Sequence, residues 1–580
     1  MRGAAVHEAA GTGDHRIRHI LKFREEIFRW CLREALGCTD RGEAEEALQW
    51  DQLAARVACM DCACLASAEL EGNILSFAPL LPVPDRCVTP GAPRRWLHVF
   101  SEAGSSAGHS AMAWRWMSLD PERSTHSVVV LSQPTGASAE LVEMVSRRGG
   151  EIVYMNPREP ILSRATRLRR YAWANADVVV LHVHSWEVAA TLAFGTPGGP
   201  PVLLVNHAAH LFGVGGSIAD LMINTRQSPQ EDAWSREYRG MGDRLASLPL
   251  PLPDPAWGER TPELKAWGRR TLDLPMDAPV LLSVGNAYKY TPVPGLDFLE
   301  CARTILRERP TAHLLVAGVP EDARWREARL ATGGRLRGMG IQLDLKPFYA
   351  AADVYLEGFP VGSMTAALEA GHHGLPCVLS PAAVPPPFGT DGQVYDDAGV
   401  SQPETLERYI TRALRLIDDR VERERCGRAL AESVAAHHTG PGWQAKLEVL
   451  KQRLPATHEV RPLSDLPPLP WPLVAFWGAV STRVKTDALG IVYSLAVELG
   501  LRPRLDRALR AAVKTAKPVR ALHPPLRWLI SCIDASARML PTRCLSWVYG
   551  LYPALADVLR GNGLLTRTYR SLLGSRRTAS

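Results

Sequence analysis

A lysine in the loop after a short apolar strand is the first feature of this sequence with chemistry in it. The segment is Leu282-Ser-Val-Gly-Asn-Ala-Tyr-Lys-Tyr-Thr-Pro292. The strand is predicted to end at Val284, Gly285 lets the chain turn, and Asn286 and Lys289 project from the loop. Lys289 would set a compact positive charge at the top of a sheet, as a diphosphate requires. A lone loop lysine is more often a solvated surface residue, so its weight comes from a second segment. There, Val354-Tyr-Leu-Glu-Gly-Phe-Pro-Val-Gly-Ser-Met-Thr365 reads as a strand, a Gly-rich turn and a helix start near Ser363 or Met364. Amides at a helix start, with the dipole behind them, attract phosphate. Thr365 would add a hydroxyl donor, and Glu369, one turn on, a carboxylate able to accept the two hydroxyls of a ribose.

Histidines form the second candidate set. His109 ends the Gly-rich run Ser101-Glu-Ala-Gly-Ser-Ser-Ala-Gly-His109, His182 and His184 close the apolar run starting at Asp177, and His207 follows the run Pro201 to Val205. The i, i+2 spacing of His182 and His184 puts them on one face of an extended segment. Imidazole titrates near neutral pH, so any of His109, His184 or His207 can act as a general base or bind a polar ligand. Each has a structural alternative as a polar residue completing a strand end. Cys59, Cys62 and Cys64 suggest metal, but no fourth ligand at good spacing follows, and a helical, Ala-rich setting favours small buried hydrophobes. Gly213-Val-Gly-Gly216 is a turn that lacks the third glycine and helix of a dinucleotide fingerprint.

The elements that must position these residues are legible from periodicity. Short, fully apolar runs begin at Trp96, Ser127, Asp177 and Pro201, and again at Val280, His313, Val354 and Pro376, with helical patterns between them. Such strands alternating with helices predict parallel sheets covered on both faces. The expected fold class is α/β, two Rossmann-like doubly wound domains facing a cleft, flanked by helical N- and C-terminal regions. Proline-rich breaks give the boundaries: a helical region 1–92, a first Rossmann-like, acceptor-side domain 93–247, a linker 248–276, a second Rossmann-like domain 277–455, a linker 456–472 and a basic helical tail 473–580. Ligands are expected beyond the carboxyl ends of the strands.

The two loop segments together resemble the nucleotide-binding half of GT-B glycosyltransferases, and are most similar to the O-linked N-acetylglucosamine transferase family and its bacterial relatives. The resemblance rests on Asn286-Ala-Tyr-Lys289 with Thr291-Pro292 after it, and on Phe359-Pro360 through Thr365 to Leu368-Glu369-Ala370, across roughly residues 278 to 400. The Glu357-Gly-Phe start is more similar to the large retaining GT-B families. The resemblance implies a nucleoside-diphosphate sugar, uridine-linked, bound by Asn286, Lys289, Glu357, Gly362, Ser363, Thr365 and Glu369, with His109, His184 and His207 as candidate catalytic residues. It implies transfer of a hexose or N-acetylhexosamine to a hydroxyl without a metal. The absence of an Asp-x-Asp pair agrees. No cofactor is expected. Two alternatives share the fold: a sugar-nucleotide 2-epimerase, and a catalytically degenerate scaffold, suggested by Met364 and Ala366 where the family carries Gly, His or Thr. The long helical additions argue for a larger acceptor or partner, whether glycan, lipid-linked or protein.

Composition narrows the class. At 580 residues, with 46% hydrophobic and 22% charged residues, the chain is neither disordered nor collagenous. Eleven scattered cysteines and no apolar signal core predict a cytoplasmic protein. From residue 501 to the end, fifteen Lys and Arg stand against three Asp and Glu, leaving the first 500 residues net acidic. This tail is suited either to a solvated basic face or to peripheral contact with an anionic membrane surface. No aromatic-basic module is present, so nucleic acid is not an expected partner.

Overall fold

A computed structural model describes residues 4–59, 63–85, 94–104, 108–121, 124–133, 136–253, 260–386 and 388–484. Pro90, Pro93, Cys62 and most of the expected basic tail, from residue 485 on, lie outside them. Two parallel sheets organise the described residues. The first comprises β1 (Arg95–Phe100), β2 (Thr125–Val130), β3 (Ile152–Tyr154), β4 (Val178–His182), β5 (Val202–Val205), β6 (Leu221–Asn224) and β7 (Leu245–Ser247), in the order β3-β2-β1-β4-β5-β6-β7. The second comprises β8 (Val280–Val284), β9 (His313–Ala317), β10 (Leu336–Gly338), β11 (Val354–Leu356) and β12 (Cys377–Val378), ordered β10-β9-β8-β11-β12. Both orders reverse direction beside their first strand, at β1/β4 and at β8/β11. Those switch points are where a doubly wound sheet opens a crevice for a ligand. Two Rossmann-like domains with helical flanks make a GT-B architecture.

The central strands form because runs such as Val178-Val-Val-Leu are apolar on both faces and have helices to cover both. Four strands escape the sequence reading. β3, β6, β7 and β10 are only three or four residues long. The covering helices carry their own start signals. Asp297 caps Phe298–Glu308 by accepting from the amides of Leu299 and Glu300, and Thr405 caps Leu406–Asp418. In Phe298–Glu308 the buried Phe298, Ala302, Ile305 and Leu306 fall on one face, as a helix lying on a sheet requires.

Chain order and spatial order part at the flanks. Helix Gly440–Gln452, expected in the second domain, packs under the first sheet: Trp443, Leu447 and Leu450 share a core with Trp96, Trp116, Val178 and Leu203. The expected linker 456–472 stays on the first domain, where His458 contacts Asp220 and the carbonyl of Phe194. Helix Trp471–Val484 then lies on the N-terminal helix Ala4–Asp40, with Arg24 donating to Ser481. Within the expected linker 248–276, Pro262–Thr271 is a helix, with Arg269 paired to Asp353 just before β11. None of the described helices is long and apolar enough to cross a membrane.

The helices Ala44–Ala58 and Ala68–Ser76 share a core with β1 and β4 through Trp50, Leu53, Leu70, Ile74, Leu97 and Val179. Glu71 of the second helix explains the Gly213–Gly216 turn. Its carboxylate accepts from the amides of Gly215, Gly216 and Ser217 at 2.9, 3.1 and 2.7 Å. Cys59 donates to the carbonyl of Phe212 and belongs to the same buried core.

Candidate functional site

At the β8/β11 switch point the two loop segments meet. Nζ of Lys289 donates to the carbonyl of Gly362 at 2.7 Å, one residue before Ser363, the N-cap of helix Met364–His372. The side chain of Ser363 makes no capping bond, so the first-turn amides are left for another acceptor. Burial draws the Lys289 ammonium down to about 8, with Glu357 opposing the shift and Arg226 reinforcing it. Asn286 and Thr365 are exposed on the same rim. Gly285 and Gly362 permit this closeness. A Cβ on Gly285 would sit 2.7 Å from the Ser363 hydroxyl, and one on Gly362 would sit 2.5 Å from the Glu357 carboxylate.

Two expected donor-side carboxylates are engaged within the protein. Glu357 is fully buried, which corrects its expected place on the ligand-facing surface. It accepts from the Thr390 hydroxyl and from the amide of Ser380 at 2.8 Å, so it ties the β11 and β12 loops together from behind. Glu369 keeps a quarter of its side chain open, and its two oxygens accept from Arg115 at 3.0 Å and from the Tyr349 hydroxyl at 3.2 Å. Arg115 belongs to helix Gly108–Leu119 of the first domain, so this pair spans the two domains. A second crossing starts after β6. Arg226 donates to the carbonyl of Gly389 at 2.8 Å and reaches Asp391, and Ser228 donates to Asp391.

The first-domain histidines gather at the carboxyl ends of β1, β4 and β5. His109 stands with its ring centroid 5.8 Å from His207 and 6.1 Å from His184, and Nε2 of His109 meets the carbonyl of Glu102 at 2.8 Å. His184 is half-buried against Trp186, with its amide donating to Ser101 at 3.0 Å. His207 is exposed at the strand end and lines a pocket with His184, Asn206 and Arg239. Packing around the inner edge of the ring, then His109, lowers His207 from the ordinary imidazole range, while the outer edge stays open. Burial likewise lowers His109 and His184. His210 of the same loop touches Phe388 of the second domain, with ring centroids 5.4 Å apart. His182 ends β4 and is buried, with its Nδ1 3.0 Å from Nε2 of His207.

Sequence reading missed Arg115, Arg226 and Asp391, whose roles arise only where the two domains touch. It also missed the buried His98 and His126. Their signal was present: a histidine inside an apolar β-strand run needs a buried partner.

The architecture and the β8–β11 crevice define a two-domain, GT-B-class fold. Residues 278–419 match the family described as Glycosyl transferases group 1. No curated protein matches the chain. Among solved structures, a glycosyltransferase from Rickettsia africae is similar at 14% identity and TM-score 0.48, covering 62% of this chain and 98% of that one. An O-GlcNAc transferase mutant from Thermobaculum terrenum aligns at 17% identity and TM-score 0.44 over 75% of this chain and 84% of its own. The Anabaena HepE protein in complex with UDP aligns at 11% identity and TM-score 0.47 over 62% and 100%.

Proposed function

We propose that this protein is a glycosyltransferase that moves a hexose or N-acetylhexosamine from a uridine-linked nucleoside-diphosphate sugar to a hydroxyl acceptor, without a metal. The observation that carries the reading is the contact of Lys289 with Gly362, which sets a cation beside an uncapped helix start at a topological switch point. Cleavage of the anomeric C–O bond builds negative charge on the departing diphosphate, and fixed donors at that place stabilise the transition state. Lys289, with the amides at Ser363 to Thr365, takes that role, and Asn286 borders the group. Glu369 accepts the ribose hydroxyls on the side it shares with Arg115. On the acceptor side, His207 is the base, with His109 and His184 shaping the approach. The match of residues 278–419 to the group 1 glycosyltransferases supports the reading.

The test is thermal unfolding with UDP. At about 100 times its dissociation constant a ligand adds about 2.7 kcal/mol to stability, and Lys289→Ala should remove most of the resulting shift. The protonated amine binds the diphosphate, so the UDP shift should be full below pH 8 and shrink above it. An unchanged shift in the variant removes Lys289 from the site. Incubation with donor alone separates the remaining classes: a transferase slowly hydrolyses it, an epimerase alters the sugar, and a scaffold does neither.

A further inference from the structure

A file of imidazoles runs through the first domain, from its buried interior to the candidate base. Oδ2 of Asp120 lies 3.0 Å from Nε2 of His126, and Nδ1 of His126 lies 3.1 Å from Nε2 of His98. Nδ1 of His98 lies 3.0 Å from Nε2 of His182, and Nδ1 of His182 lies 3.0 Å from Nε2 of His207. Register explains the alignment. Trp96 pairs with His126 and Phe100 with His182, so the histidines of β1, β2 and β4 share one face of the sheet. Trp116 from the covering helix closes over His98, and Trp96 stacks on His126. Asp120, His98, His126 and His182 are all essentially inaccessible; only His207 is exposed.

Asp120 sets the direction of every bond. Burial alone would raise its pKa, but the His126 contact and nearby Lys451 outweigh this and hold it down at about 2. An ionised carboxylate can only accept, so His126 carries its proton on Nε2. Burial keeps His126, His98 and His182 neutral. Each neutral ring has one N–H, so each Nδ1 accepts from the next Nε2–H. The sequence of choices ends with His207 donating through Nε2 and presenting a bare Nδ1. Among the described residues, no hydrogen bond to that nitrogen is made.

We propose that Asp120, His126, His98 and His182 form a buried relay that fixes the Nδ1 lone pair of His207 outward and conducts the proton it accepts into the domain interior. The proton's source rests on the glycosyl-transfer reading; the fixed tautomer does not. As the acceptor oxygen bonds to the anomeric carbon and the diphosphate leaves, its hydroxyl proton passes to Nδ1 of His207. Nε2–H of His207 then moves to Nδ1 of His182, that of His182 to Nδ1 of His98, and that of His98 to Nδ1 of His126. His207, His182 and His98 end neutral, while His126 becomes an imidazolium paired with Asp120, which stays ionised. The reverse shift returns the proton to solvent through His207. The file titrates as a unit, and the other charged or titratable groups facing it are His109 at the open end and Lys451 and Arg148 at the buried end.

Nitrogen NMR of the full protein labelled at histidine tests the relay. At neutral pH the four rings should all carry the proton on Nε2, and a proton on Nδ1 of any of them overturns the assignment. Asp120→Asn can donate as well as accept, so His207 should show both tautomers; a single unchanged tautomer there overturns the role of Asp120. His98→Leu should scramble His182 and His207 while His126 keeps Nε2–H, whereas a general structural defect would disturb all of them. For transfer, Asp120→Asn should lower kcat about 10²-fold and move the acid limb of the pH profile to lower pH, with the UDP thermal shift intact. An unmoved limb overturns proton conduction. Loss of the UDP shift in the wild-type protein would instead sink the functional reading and leave the tautomer pattern to stand or fall alone.

Discussion

Asp353 shows how one buried carboxylate fastens the second sheet. Lys265 and Arg269 both donate to it, Arg269 at 2.7 Å, and the amide of Val280 donates at 2.9 Å at the start of β8. Burial pushes its pKa up, but Lys265, the Val280 amide and Arg269 outweigh this and leave it below the ordinary carboxylate range. A depressed carboxylate contributes stability that is fully present above its unfolded pKa of about 3.9 and is lost as pH falls through the folded value. Asp353→Ala should cost about 3 kcal/mol, because it strands Arg269 in the interior. Chemical denaturation at pH 7 measures this, and the difference from wild type should narrow toward pH 3. Residues of this kind cannot be ranked from sequence: Asp353 reads as a polar residue before a strand, and its partners lie 73 to 88 positions away.

At the scale of elements, helix Gly440–Gln452 ties the second domain back to the first. Trp443 is fully buried, donates from its indole to the carbonyl of Pro249 at 2.8 Å, and meets Trp116 edge-on with centroids 5.8 Å apart. Trp443→Ala should cost about 3–5 kcal/mol, read as a lowered denaturation midpoint of the first domain. If the helix belonged to the second domain's core alone, that midpoint would not move. The helical pattern of 440–452 is plain in the sequence, but which sheet it covers is not. An amphipathic face states that it needs an apolar partner without saying which one.

At the scale of the whole molecule, the Arg115–Glu369 and Arg226–Asp391 pairs cross the cleft between the domains. Both are partly open to solvent, so neither contributes much as an ion pair; their consequence is for binding. If Glu369 accepts ribose hydroxyls, Arg115 competes for the same oxygens. Arg115→Ala should therefore tighten UDP binding, and Glu369→Ala should weaken it, by calorimetric titration. Equal weakening in both variants would mean instead that Arg115 itself contacts the nucleotide.

The approach of Lys289 to the helix start at Ser363 was legible because each segment is local. Gly285 to Lys289 and Gly362 to Glu369 each lie on one strand–loop–helix unit, where spacing alone dictates what projects. The alternation of apolar runs with helical patterns likewise points to parallel strands covered by helices on both faces. Tertiary structure decided what depends on register and contact across the fold. It turned Glu357 inward, set Arg115 on Glu369, and lined up His126, His98 and His182 behind His207. Hydrogen bonds reach about 3 Å, and only packing brings residues 25 to 254 positions apart within that distance.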